Sequence, residues 1–292
     1  MRGAGGSERL SRFPPVPDSV TDGAIAELAQ FMRGRTVLVL TGAGISTDSG
    51  IPDYRGPESI KLPRKPIWYR EFLHDAAARK RYWSRSAIGW PKIHNARPNI
   101  AHRILVEMER DGTVSGIVTQ NVDGLHQSAG NGKVLELHGS LDTVLCLQCL
   151  RSEAREHLQG RLLESNPGWD NQGAPLAPDG DAELPESLVE SFMVPACLQC
   201  GGMLKPNVTF FGENVRKDRV EKALAMLDNA ETLLVLGSSL AVYSGYRFPI
   251  RAAEQSKAVF IVNQGPTRAD HLATVQIAGY LKDVLPRLKE AL

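Results

Sequence analysis

The chain has 292 residues, 42% of them apolar, with 34 basic and 33 acidic side chains and a formal net charge of +1. That length suits one large domain or two modest ones, and the balanced charge argues against a nucleic-acid or membrane-surface binder. No apolar run approaches the roughly 18 residues of a membrane span, and the opening MRGAGGSERLSRFPPVP lacks the apolar centre of a secretory leader, so residues 1–17 are expected to be a flexible tail.

From about Asp18 to Met32, an Asp-Ser-Val-Thr-Asp start followed by Ile25, Leu28, Ala29 and Met32 predicts a helix. Val37–Leu40 is a continuous apolar run, the pattern of a strand buried on both faces. It runs into Gly42, Ala43 and Gly44, a turn through which backbone can approach a phosphate. A helix start after it would add free N–H groups for an anion. The usual dinucleotide fingerprint fails, because Thr47 stands at the third glycine and no acidic ribose partner follows about twenty residues on. Ser49–Gly56, with Asp53, Tyr54 and Arg55, reads as a loop that can fold over a ligand and offer a charge pair and a ring.

Residues from Pro57 to about Arg110 are expected to be helical, broken at Pro66, Pro91 and Pro98, with Trp68, Tyr69, Tyr82, Trp83 and Trp90 as packing residues. Gly116–Thr119 predicts a strand ending on Gln120, Asn121 and Asp123, and Val134–Gly139 another, carrying His138. The segment 141–204 holds two C-x-x-C pairs around a Pro-, Gly- and Asp-rich centre that reads as loop from Asn166 to Pro185. Strand-like sequence resumes at Lys205. A helix is expected over Asp218–Ala230, then strands Thr232–Leu236 and Ala258–Val262, closing on Gly237-Ser238-Ser239 and Asn263-Gln264-Gly265, and a last helix from Leu281 to Leu292. Strand, polar loop, helix in repetition is the pattern of an α/β parallel sheet with ligand loops at the carboxyl ends of its strands.

The four cysteines, Cys146, Cys149, Cys197 and Cys200, make two knuckles and hence a closed tetrahedral zinc site; a set with no open position is structural. His138, at a strand end, stands where a general base would reach a ligand across the sheet edge. Asn121 and Asp123 are placed for ribose or amide contacts, and His126 for a structural role.

The motifs GAGIS, SGIPDYRG, TQNVDGLH, LHGS, the paired C-x-x-C, FFGE, GSSL and VNQG, in this order, resemble the sirtuin (Sir2-type) NAD-dependent protein deacylases over nearly the whole chain after about residue 15. RYWSRSAIGWP, the APDGD insert and YSGYRF resemble the class II branch, which includes a mitochondrial member noted for lipoamidase and ADP-ribosyltransferase activity. The resemblance implies a Rossmann-like parallel sheet with helices on both faces (about 18–56, 111–145 and 205–292), a helical insert (57–110) and a small zinc-binding insert (146–204). It implies NAD as co-substrate, one structural zinc ion and acylated-lysine proteins as substrates.

By resemblance, Gly42, Ala43 and Gly44 hold the pyrophosphate, and Asp53, Tyr54 and Arg55 close over the nicotinamide ribose. Gln120, Asn121 and Asp123 bind ribose and nicotinamide amide; Gly237, Ser238 and Ser239 hold phosphate and adenosine ribose. Asn263, Gln264 and Gly265 contact the adenine ribose, and backbone near Leu281 the adenine. Val208, Phe211, Gly212 and Glu213 pair with the substrate backbone as an added strand. The acyl oxygen attacks the anomeric carbon as nicotinamide leaves, assisted by Asn121. His138 then takes a ribose hydroxyl proton, and the acyl group ends on ADP-ribose. Tyr82 and Arg85 have the three-residue spacing of a carboxylate-reading pair, weighed against a chance match in an Arg-rich helix. Protein mono-ADP-ribosylation through the same NAD site and a non-catalytic NAD-binding module are the competing functions. Neither nucleic acid nor membrane is expected as a partner. The compartment is expected to be cytoplasmic, or the mitochondrial matrix for a eukaryotic source.

Overall fold

The computed structural model describes residues 21–53, 66–169 and 189–292. Its larger sheet has six strands, all paired in parallel, in the order β3-β2-β1-β7-β8-β9. These are β1 (Val37–Thr41), β2 (Val114–Thr119), β3 (Val134–Glu136), β7 (Thr232–Leu236), β8 (Ala258–Asn263) and β9 (Val275–Ala278). The chain starts in the middle at β1, builds outward to β3, and returns to add β7 on the other flank. The strand order therefore reverses between β1 and β7, and loops leaving their carboxyl ends diverge to open a crevice there.

Period-2 alternation divides the side chains between two cores. Val37, Val39, Leu234 and Phe260 face helices Asp22–Met32, Ile100–Arg110 and Leu281–Ala291. Leu38, Leu40, Leu233 and Ile261 face helices Lys217–Asp228 and Tyr243–Glu254. The first of these helices begins at Asp22 and not Asp18: Thr21 caps it, its hydroxyl accepting from Ala24 N–H at 3.3 Å. Residues 18–20 lie outside the described residues.

The strand expected over Val134–Gly139 ends at Glu136. The chain then turns, and β4 (Gly139–Cys146) starts a second sheet, antiparallel, with β5 (Ser152–Ala154) and β6 (Leu204–Val208). Gly139 makes this corner with φ +88°, its Cα packed so tightly on Asn207 that a Cβ would stand 2.0 Å from that carbonyl oxygen. Strand β9 and helices Leu125–Ala129 and Arg155–Ser165 were not expected from the sequence.

Among its described residues, the helical region holds three helices, Tyr69–His74, Ala76–His94 and Ile100–Arg110, and Pro91 does not break the second of them. A proline removes the N–H that would bond the carbonyl four residues back, here that of Ala87. Gln159, from helix Arg155–Ser165, supplies the missing donor: its Nε2 reaches Ala87 O at 2.7 Å. Its Oε1 accepts from the fully buried Arg155 at 2.8 Å, and Arg155 also donates to Ser86 O and Oγ and lies 4.8 Å over the Trp90 ring. The proline is tolerated because the second layer completes the helix. Gln159→Leu leaves the Ala87 carbonyl without its donor and is expected to cost about 1–3 kcal/mol; an unchanged melting temperature in thermal unfolding would contradict this.

Candidate active site

The loops after β1 and β7 meet backbone to backbone. Gly42 N–H donates to Leu236 O at 3.1 Å, Gly44 N–H to Gly237 O at 2.9 Å, and Gly237 N–H to Val262 O at 2.9 Å. A Cβ at Gly44 would stand 2.9 Å from Gly237 Cα, and one at Gly42 2.7 Å from Ser238 Cβ. After Gly42 the chain forms two short 3₁₀ turns, Ala43–Ile45 and Thr47–Ser49, in place of the expected helix start. The turns end because Ser46 O accepts from both Ser49 N–H (3.0 Å) and Ile51 N–H (3.3 Å), which folds the segment back on itself.

Around this junction lies a cavity of about 930 Å³, large enough for a dinucleotide with a second ligand. The strand ends supply one wall: Gly42, Ala43 and Gly44 after β1; Gln120, Asn121 and Asp123 after β2; Gly237, Ser238 and Ser239 after β7; Asn263, Gln264 and Gly265 after β8. Leu281 closes the far side. Asp53 also lines the cavity, whereas Tyr54 and Arg55 lie outside the described residues.

Polar groups at the β2 end hold one another. Ser46 Oγ donates to Asp123 Oδ2 at 2.7 Å, Asn121 Nδ2 donates to Ser46 Oγ at 3.0 Å, and Leu125 N–H donates to Asp123 Oδ1 at 3.0 Å. Burial pushes the Asp123 carboxyl up, against the pull of these donors. Gln120 Nε2 donates to Ser238 Oγ at 2.8 Å and Thr41 O at 3.2 Å, so this amide clamps the β1, β2 and β7 loops together. Asn263 Nδ2 likewise donates within its own loop, to Gly265 O at 2.7 Å.

His138 sits between the two sheets, immediately before the Gly139 corner. Its Nδ1 is 2.9 Å from Gln120 O, and a carbonyl only accepts, so Nδ1 carries the proton and Nε2 the lone pair. Burial holds its ionisation below the ordinary imidazole value, outweighing the Gln120 carbonyl, with Arg219 adding to the depression. The imidazole is therefore neutral at pH 7, and the residue lines the cavity. His126 is buried with Nε2 3.0 Å from Thr41 Oγ1, and burial, reinforced by His102, drives its ionisation down to about 3. It is neutral, does not line the cavity, and supports the β1–β2 edge.

The four cysteine sulfurs lie within 4.8 Å of one another, with Cys146–Cys200 at 3.5 Å and Cys149–Cys197 at 3.8 Å. Four thiolates around a tetrahedral zinc stand about 3.8 Å apart, so these residues fit one ion. Backbone N–H groups of Cys149 and Gln148 point at Cys146 Sγ (3.5 and 3.4 Å) and draw that thiol down to about 6, the charge state a metal ligand needs. No cysteine lines the cavity; the ion's chemistry there is to hold the two knuckles together.

A Sir2 family model matches residues 42–244. The chain belongs to the Sir2 family. It is 49% identical over 263 residues to NAD-dependent protein deacetylase 1 of Streptomyces coelicolor, covering 90% of this chain and 87% of the relative. It is 45% identical over 281 residues to the human mitochondrial NAD-dependent protein lipoamidase sirtuin-4, covering 95% and 90%. Among solved structures, a Sir2 protein with a deacetylated p53 peptide and 3′-O-acetyl ADP ribose superposes with a TM-score of 0.74 at 31% identity, over 91% of this chain and 97% of that one.

In this Sir2 chain, Val208, Phe211, Gly212 and Glu213 line the cavity mouth. Thr209 N–H donates to His138 O at 2.7 Å, which ties that loop to the histidine. Phe211 O accepts from Tyr69 N–H at 2.9 Å, and Gly212 lies against the Trp68 ring. The Glu213 carboxylate turns inward, 3.0 Å from Lys205 Nζ and accepting from Phe210 N–H at 2.8 Å. Tyr82 lines the cavity but Arg85 does not, so the Y-x-x-R spacing does not put both side chains on the cavity wall. Ser46, Ser244 and Arg247 also line it. Ser46 lies within the GAGIS motif, and Ser244 and Arg247 within YSGYRF, which the sequence tied to the class II branch without assigning either residue a role.

Zinc analysis is expected to return one ion per chain, and its removal by a chelator to lower the melting temperature by several degrees, because metal binding is coupled to folding. A metal-free chain with an unchanged melting temperature would contradict this.

Proposed function

We propose that this Sir2 protein is an NAD-dependent protein-lysine deacylase that transfers the acyl group to ADP-ribose and releases nicotinamide. The observation that carries the reading is His138: a neutral imidazole with its proton fixed on Nδ1, facing the same cavity as the glycine junction and the Asn121–Asp123–Ser46 cluster. The related enzymes are named for NAD-dependent deacetylation and lipoamide removal, and the acetyl-ADP-ribose complex is consistent with the product.

NAD is the co-substrate and supplies an anomeric carbon from which nicotinamide departs; the residues bind, orient and move a proton. Gly42, Ala43 and Gly44 and the facing Gly237, Ser238 and Ser239 take the phosphates and adenosine ribose, where the glycines and small side chains leave room for a ligand to come close to the backbone. Asn263, Gln264, Gly265 and Leu281 take the adenosine end. Asp53, with Tyr54 and Arg55, covers the nicotinamide ribose. Asn121 and Asp123 orient the nicotinamide amide and ribose. The acyl-lysine enters between Val208–Glu213 and the β7 loop, so that its amide oxygen meets the anomeric carbon. His138 Nε2 takes the ribose hydroxyl proton, that oxygen attacks the acyl carbon, the lysine amine departs from that carbon with a proton, and water takes its place as the acyl group settles on ADP-ribose. In this reading the chain divides into a sheet region (about 18–56, 111–145, 205–292), a helical insert (57–110) and a zinc insert (146–204) that shapes the mouth. The relatives are a bacterial and a mitochondrial enzyme, and a cytoplasmic setting suits this chain in a bacterial source.

The test is mass spectrometry of one lysine peptide carrying acetyl, succinyl, glutaryl, lipoyl or long fatty acyl groups, with and without NAD. NAD-dependent loss of at least one group, with the matching acyl-ADP-ribose, is expected. His138→Ala should lower that rate by roughly 10²–10⁴-fold, and activity should fall with acidification only below the ordinary histidine range, where the depressed His138 gains its proton. Nicotinamide release with label from NAD on protein and no acyl-ADP-ribose would instead mark an ADP-ribosyltransferase; wild-type turnover in the His138→Ala protein would remove the histidine from the mechanism.

A further inference from the structure

Gln120 O fixes one side of the His138 ring, and a second contact fixes the other. His138 Nε2 lies 2.8 Å from Ser244 Oγ. With the proton on Nδ1, Nε2 can only accept, so the serine hydroxyl donates. Ser244 is the second residue of helix Tyr243–Glu254, is buried, and lines the cavity. The next residue explains why that helix end comes so close: a Cβ at Gly245 would stand 2.3 Å from Gln120 Oε1. Gln120 therefore receives the Nδ1 proton on its carbonyl while its side chain packs against the helix that delivers Ser244.

We propose that Ser244 is the positioning residue of His138: its hydroxyl holds the lone pair of Nε2 in the resting site and gives up that place to the reacting ribose hydroxyl. The inference rests on the assignment of His138 as the base. In the step it serves, the ribose O–H bond breaks, the proton passes to Nε2, the oxygen keeps the electron pair with which it bonds to the acyl carbon, and the carbon–nitrogen π pair there moves onto the lysine nitrogen. The Ser244 hydrogen rotates away and no other proton moves.

The contact has a sign. The hydroxyl donates to Nε2 of the neutral ring and, once turned, accepts from Nε2–H of the charged ring, the stronger of the two hydrogen bonds, so losing it makes the ring harder to protonate. Arg219 from helix Lys217–Asp228, which acts on the ring, and the charged residues that line the same cavity, Arg247 from the serine's own helix, Asp123 after β2 and Glu213 after β6, stay as they are when Ser244 changes. Neither the serine nor its neighbours carry the charge difference; only the hydrogen bond is removed.

The experiment uses the full chain labelled with ¹⁵N-histidine. The His138 signals, assigned among the seven histidines by their loss in His138→Gln, are followed through a pH titration in wild type, Ser244→Ala and Ser244→Thr. Wild type should show the Nδ1–H tautomer. Ser244→Ala should titrate about half to one pH unit lower, and Ser244→Thr, which restores a hydroxyl, should return towards wild type. In peptide assays Ser244→Ala should lose roughly tenfold in acyl transfer across the pH range, because the ring is no longer held in place, while keeping nicotinamide exchange, which precedes the proton step. A Ser244→Ala protein with wild-type His138 titration and tautomer would overturn the proposal. Failure of wild type to remove any acyl group would instead count against the functional reading, and the titration would still judge the serine contact.

Discussion

The contact between Gly44 and Gly237 is the constraint on which the site depends. Two parallel strands, β1 and β7, lie side by side, and the chain leaves their carboxyl ends in opposite directions. The loops can touch at the root only if neither carries a side chain there, and Gly237 must also hold φ +60°. With that met, Gly42, Gly44 and Gly237 tie the ends of β1, β7 and β8 together through their own N–H groups. Gln120 adds β2 to the same knot. The crevice wall is thus largely backbone, and the polar side chains Asn121, Asp123 and His138 stand around it.

His138 links this crevice to the rest of the molecule. It follows the last parallel strand of its flank and precedes β4, which runs from Gly139 to Cys146 and so ends on a sulfur of the cysteine tetrad. A strand of that length spans roughly 25 Å. Zinc at one end, by fixing the knuckle, keeps β4 paired with β6, and β6 leads into Val208–Glu213, whose Thr209 bonds back to His138. A metal that takes no part in the reaction can therefore still govern the mouth of the site. The inward Glu213–Lys205 pair, with Lys205 Nζ 4.8 Å from the Phe210 ring centre, braces the same loop from beneath.

Strands buried on both faces were plain in the sequence, because β1, β7 and β8 are unbroken apolar runs between polar loops. The edge strand β9 was not: Val275, Gln276 and Ile277 alternate over only four residues, too short a window for period 2 to stand out. Pro91 misled because helix breaking is a local rule, and the compensating donor, Gln159, comes from 68 residues away. The turn after Gly42 misled for a similar reason, since the capture of two N–H groups by Ser46 O decides against a helix. The glycine loops, cysteine knuckles, Asn121, Asp123 and His138 were legible because each residue type has few alternatives for its chemistry. Ser244 was not, since a serine near a helix start has an ordinary structural explanation and its partner lies 106 positions earlier in the chain.

The most direct test of the central claim, that the acyl group is transferred and not simply hydrolysed, is to follow one oxygen atom. A peptide bearing the acyl group with ¹⁸O in its amide carbonyl is taken through a single turnover with NAD, and the products are weighed. The account predicts that the label leaves with the ADP-ribose product, because the amide oxygen bonds to the anomeric carbon. Label recovered in free carboxylic acid, with NAD intact, would contradict it.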